Sequence, residues 1–176
     1  MTDSLTPAAV PDTIDAAAGL REGDAIAALR RARSKVLLHT QQSEAALFDA
    51  ALPDLSPVER LHAARYVARQ SNAHTLADIY RTRLLDAGGT LDDIERADAD
   101  AFDALPRRLG AILLHVKRLT HAPVDARAAD LAALKSAGLT TSAIVALSQL
   151  IAFVAYQLRV AAAARALQAR AAKEAA

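Results

Sequence analysis

From Ala143 to Ala164 the chain is almost continuously apolar, and much of that stretch is alanine. Alanine has the best intrinsic helix propensity and no side-chain entropy to lose, so this run is helical or nothing. Its length matches a membrane span, but Ser148, Gln149, Gln157 and Arg159 interrupt it. An arginine near a bilayer centre alone costs about 2.5–3.5 kcal/mol. The stretch therefore reads as the central helix of a soluble bundle, apolar nearly all round, and no membrane partner is expected. The bias is general: 53% of the 176 residues are hydrophobic but only 3% are aromatic. Val, Ile and Thr are too scattered for a sheet of alternating strands. The fold class expected is all-α, in a chain long enough for one domain with a substantial core.

The net charge of +1 argues against nucleic acid as a partner, since the arginine pairs Arg30-Arg31 and Arg107-Arg108 have acids nearby. The chain has no cysteine. Iron–sulfur ligation, thiol–disulfide exchange and a disulfide-stapled fold are all excluded. Residues 1–11 carry Asp3 and two prolines without a basic or apolar run. They read as a disordered tail, not a secretory signal, so a cytoplasmic location is expected. No cofactor is expected.

Punctuation along the chain sets the helices. Thr13–Ala18 is closed by Gly19, and Asp24 caps a helix through Leu29. Residues 33–52 place Val36, Leu37, Leu38, Ala45, Phe48 and Leu52 at a spacing that predicts one helix with a buried stripe. Ser56-Pro57-Val58-Glu59 is the clearest start in the chain. Serine caps, proline takes the first helical position, and the glutamate reaches back in a capping box. A helix from Pro57 to Gln70 follows, then a break at Ser71–Asn72 and a second helix to Asp86 before Gly88-Gly89. Thr90 caps a helix to Arg96, another runs from Pro106 to Leu119, and Asp125 caps residues 126–137. Thr140 opens the long apolar helix, with residues 169–176 fraying. Leu55-Ser56-Pro57 and Leu139-Thr140-Thr141 both open helices, an offset of 84 residues from Leu55 to Leu139. That is compatible with two similar helical halves.

Leu55–Leu85, beginning LSPVERLHAARYVARQSNAH, resembles the first core unit of the carboxymuconolactone decarboxylase and alkylhydroperoxidase (AhpD-like) family. Leu119–Leu167 resembles its second unit and is similar in particular to a bacterial subgroup called CMD domain proteins, and the resemblance covers roughly residues 12–168. The resemblance implies an AhpD-like helical bundle, a homo-oligomer (trimer or hexamer), and a small-molecule site in the first unit near a subunit contact. The peroxidase branch carries E-x11-C-x2-C-x3-H. Laid from Glu59, that spacing puts Ser71 and His74 where the cysteines belong and Asp78 at the histidine. Peroxide reduction needs a thiolate and a resolving thiol, so that activity is not carried over.

Four residues remain as the candidate catalytic set: Glu59, His62, Ser71 and His74. Glu59 would tune a proton relay, His62 or His74 would move the proton, and Ser71 would orient a small organic substrate. Each has a plainer role as well. Glu59 serves the capping box, His62 reads as a partly buried, hydrogen-bonded histidine, and Ser71 or Asn72 would cap a helix on which His74 and Asp78 pair. Tyr66, one turn beyond His62, is a further phenolic donor. Glu59, His62 and His74 offer the donor types of a metal site, but without tight ligand spacing no metal is expected. His115 and His121 near Lys117 and Arg118 read as basic groups at a helix C-terminus. Gln149, Tyr156 and Arg159 break the apolar helix face and would bond across a subunit contact or line a pocket. The alternative to an acid–base enzyme is a non-catalytic scaffold, or a partner of a cysteine-containing relative.

Overall fold

The computed structural model describes residues 12–174. Nine α-helices and two short 3-10 turns make up the regular structure of those residues, and no strand occurs among them. The all-α class is therefore what the chain adopts. The expected tail at 1–11 lies outside the described residues.

Helices α1 (Thr13–Ala18), α2 (Ala25–Ala32), α4 (Pro57–Gln70), α5 (His74–Asp86), α6 (Leu91–Asp98) and α7 (Arg107–His121) fall where their caps and breakers put them, within two or three residues. Ser56 Oγ accepts from the Glu59 amide at 3.2 Å while Glu59 Oε2 accepts from the Ser56 amide at 2.8 Å, completing the capping box. Helix α8 (Ala128–Ser136) starts later than expected, because Pro123–Asp125 forms a 3-10 turn and Asp130, not Asp125, accepts from the Arg127 amide at its start. Helix α9 runs unbroken from Thr141 to Glu174, and Thr140 Oγ1 accepts from the Ala143 amide at its start.

The largest departure is α3. It covers Ser34–Leu47, not residues 33–52, and none of its residues is buried. Much of the expected stripe faces outward, with Val36 56% and Leu38 50% exposed, and Phe48 just past the helix end packs against the core. A polar network holds the helix instead. Glu44 Oε1 accepts from Thr13 and Arg83, both at 2.7 Å, and Glu44 Oε2 accepts from Gln157 Nε2 at 2.9 Å. The Tyr80 hydroxyl donates to Gln157 Oε1 at 2.5 Å, and Arg83 lies over the Phe48 ring.

The central helix is also not the expected one. Helix α9 has an inner face against α1 and α4, but Val145, Gln149, Ala152, Tyr156 and Arg159 point outward. The helix enclosed on all sides is α4, where every residue from Arg60 to Ala68 is buried between α5, α7 and α9. Ala63, Ala64 and Ala68 are fully buried, and their small side chains let three helices close in. The two buried arginines are neutralised or capped. Arg60 donates to the carbonyls of Asp49 and Leu52, and Arg65 forms a two-pronged pair with Asp98 at 2.8 and 2.6 Å.

The offset of 84 residues has a local counterpart. Asp54 and Gly138, which correspond under it, both take left-handed backbone (φ 68° and 89°). Arg108 on α7 donates Nη2 to the Asp54 carbonyl and Nη1 to the Gly138 carbonyl, and its Nε bonds Glu59 at 2.7 Å. One guanidinium thus ties the starts of α4 and α9 together. Beyond these starts the chain diverges: α4 and α5 are separated by a turn, while α9 is continuous.

Gly110 in α7 meets the backbone of the 3-10 turn at Phe102–Ala104. A Cβ there would lie 2.4 Å from the Phe102 carbonyl oxygen. Gly→Ala inside a helix ordinarily stabilises by about 0.5–1 kcal/mol. Here the sign reverses: Gly110→Ala should destabilise by about 1–3 kcal/mol in urea unfolding. A rise in stability would mean the turn does not pack on α7.

Candidate functional site

The four candidate residues lie along α4 and at its exit, and the fold spreads them out. Glu59 and Ser71 are twelve residues apart at opposite ends of one straight helix, about 18 Å along its axis. Glu59 is committed at both oxygens, to the Ser56 amide and to Arg108 Nε. Ser71 is the exposed C-cap of α4 and Asn72 follows in left-handed backbone (φ 56°). The N-cap of α5 is Ala73, so neither Ser71 nor Asn72 caps that helix, and Ser71 shares no stripe with His74 and Asp78. His74, the first residue of α5, is exposed and makes no hydrogen bond or ion pair with Asp78 among the described residues.

His62 is different. It is 1% exposed, and neither ring nitrogen has a hydrogen-bond partner. The sequence reading of a partly buried, hydrogen-bonded histidine is corrected here, because the flanking alanines bring α4's neighbours close without bringing an acceptor. Burial pushes the imidazole below its ordinary value of 6.5, Asp93 pulls it back up, and Arg65 lowers it further. His115 on α7 repeats the pattern. It is 5% exposed with both nitrogens unpartnered, and burial lowers it against Asp130 and with Arg118. The expectation that His115 serves the helix dipole is therefore corrected: only His121 stands in the last turn, where it meets Gln70 Oε1 at 3.0 Å.

A polar cluster that the sequence did not single out forms where α4, α6 and α7 meet. The Tyr66 hydroxyl donates to Asp100 Oδ1, and Lys117 Nζ donates to Asp100 Oδ2 at 2.7 Å. Burial and the adjacent carboxylate push the Tyr66 phenol well above its ordinary range, while Lys117 and then Tyr66 hold Asp100 below its own. Asp100 takes left-handed backbone (φ 57°), which aims it at both donors. Its only signal in the sequence is the run Asp98-Ala99-Asp100 before an alanine, too common to mark a turn. The phenol is fully buried and its proton is spent on Asp100, so the cluster fastens α6 to the core and is not poised to exchange protons.

Among the described residues no three His, Asp or Glu side chains gather closely enough to hold a metal ion. A groove of about 420 Å³ lies elsewhere, between α3 and α9, lined by Lys35, Val36, His39, Phe153 and Tyr156 among others. None of the four candidate residues lines it. Tyr156, marked in the sequence as a break in an apolar face, is the one site-like residue it shares with that reading. Compared with known proteins, the chain matches no family model and no curated protein.

The two buried imidazoles make a pH prediction. Each is held below 6.5 in the fold, so the unfolded chain takes up its proton first. The contribution to stability is whole above the unfolded value and is lost as pH falls through 6.5 toward the folded value. The melting temperature should therefore drop more steeply below pH 6.5 in the parent chain than in the His62→Leu/His115→Leu variant. Parallel curves would mean that both rings find partners.

Proposed function

We propose that the chain is a non-catalytic helical subunit of the AhpD-like kind, a scaffold or the partner of a cysteine-containing relative. The family reading rests on the segments Leu55–Leu85 and Leu119–Leu167. The observation that carries the non-catalytic reading is the dispersal of the four candidate residues, of which Glu59, Ser71 and His74 stand at the family's spacing. Glu59 is capped and paired, Ser71 and His74 face solvent, and His62 is sealed in the core. Acid–base catalysis needs the proton donor and acceptor within hydrogen-bond reach of one substrate atom. These four groups do not converge on one.

One observation favours a second reading, acid–base chemistry on a small organic molecule. His62 is an imidazole kept neutral by burial with both nitrogens unspent, the state a general base requires. It would act only if local opening admitted a ligand beside α4.

The two readings separate in one experiment on the purified chain: thiol-dependent hydroperoxide reduction and lactone decarboxylation, assayed side by side. The subunit reading expects both at the blank rate. Turnover above blank that His62→Gln or His74→Ala abolishes would overturn it in favour of acid–base chemistry.

A further inference from the structure

Helix α9 is buried on one side only. On the other, Val145, Gln149, Ala152, Tyr156, Arg159 and Ala163 are all exposed, and they alternate four and three residues apart, the spacing of a coiled-coil seam. The Tyr156 hydroxyl bonds Thr40 at 3.1 Å, and Arg159 bonds only the Ala155 carbonyl of its own helix. Alongside runs α3, which buries no residue at all. An isolated helix shorter than about 12–15 residues is marginal in water without a packed face. This side of the molecule therefore lacks a packing partner.

We propose that the partner is a second copy of the chain, with the two α9 helices antiparallel across a two-fold axis at the level of Val154. That register sets Gln149 opposite Arg159 of the partner subunit, Ala152 opposite Tyr156 of the partner subunit, and Val145 opposite Ala163 of the partner subunit. The guanidinium meets an amide carbonyl, and at the other two levels a large side chain meets a small one, as interdigitated packing requires. Sliding the pair by half a heptad either way sets Gln149 against Ala152 or Ala166, leaving the amide opposite a methyl group. A two-fold contact uses the same patch on both copies, so this self-complementarity is the property it needs.

The area is also sufficient. From Val145 to Leu167 the helix is about 34 Å long, and α3, with 14 residues, adds about 21 Å beside it, each about 10 Å wide. That footprint of about 550 Å² per copy buries about 1,100 Å² in all, above the roughly 1,000 Å² that a specific interface should clear. Two-fold pairing builds a dimer, or a hexamer when combined with a three-fold axis, and not a closed trimer.

This rests on the reading of the chain as an assembly subunit and names its partner. Enzyme assays test that reading, and a mass measurement tests this one, so the two fail independently. The native chain has no cysteine, which makes it a clean background for cross-linking. Light scattering on the full chain should give at least twice the 18.5 kDa of one copy. Ala152→Glu should return it to the single-copy mass with its helical circular dichroism unchanged. Under mild oxidation Val145→Cys/Ala163→Cys should form covalent dimers where each single variant does not. A chain that stays monomeric overturns the proposal, and if it also floats with anionic lipid vesicles the face belongs to a membrane surface. An assembled chain whose double-cysteine variant cross-links no better than the singles overturns it too, since a different face is then the contact.

Discussion

Enclosing α4 on every side is the constraint to which the other elements answer. A helix buried around its full circumference must present small side chains where neighbours approach and must satisfy every polar group it carries inward. Ala63, Ala64 and Ala68 meet the first demand. The second is met from outside the helix for the two arginines: Asp98 on α6 takes Arg65, and the carbonyls of Asp49 and Leu52 take Arg60. Removing a partner from such a buried charge costs more than the bond itself, because the charge is left desolvated. The placement of α6 and of the α3–α4 connection therefore follows from the arginines of α4 as much as from apolar burial.

His62 is the inward side chain on α4 with no partner at any of its polar atoms, whereas Arg65 leaves only its Nε unpaired. The fold tolerates it by keeping the ring neutral, at the cost of an unmade hydrogen bond. His115 is treated in the same way on the next helix. Two such groups, one on the most enclosed helix and one on its neighbour α7, set a lower pH edge for the packing around them. A ring 1% exposed, as His62 is, does not meet a substrate while the helices around it stay closed.

The molecule is uneven from one side to the other. Around α4 and α7 the core is dense and alanine-rich, whereas α3 is held by the Glu44 network, by Leu47 and by aromatic stacking, with Val36 and Leu38 left outside. The outer face of α9 continues that open side. Val36, Leu38, Val145 and Tyr156 are thus exposed together on one side of the molecule. Of the polar residues that break α9's apolar pattern, Gln149 and Arg159 lie on this face, whereas Gln157 is buried and satisfied by Tyr80 and Glu44.

Helix boundaries were legible in the sequence because caps and breakers act within one turn of chain. Ser56-Pro57-Val58-Glu59, Gly19, Thr140 and the Gly88-Gly89 stop are local devices, and each works where it stands. What each helix faces was not legible, because burial depends on neighbours distant in sequence. The apolar α9 looked central yet shows one face to solvent, while α4, with its two arginines and a histidine, is the enclosed helix. The stripe on α3 has helical spacing, but only its last part, at Phe48, is covered, by Tyr80 and Arg83, while Val36 and Leu38 stay exposed. The candidate site divides in the same way. Glu59's capping role was written in four adjacent residues, whereas its pairing with Arg108, the sealing of His62 and the Tyr66–Asp100–Lys117 cluster join residues 17 to 49 positions apart. Local chemistry determined where the helices begin and end. Only packing decided which of their polar groups were enclosed, which were paired, and which were left for a partner.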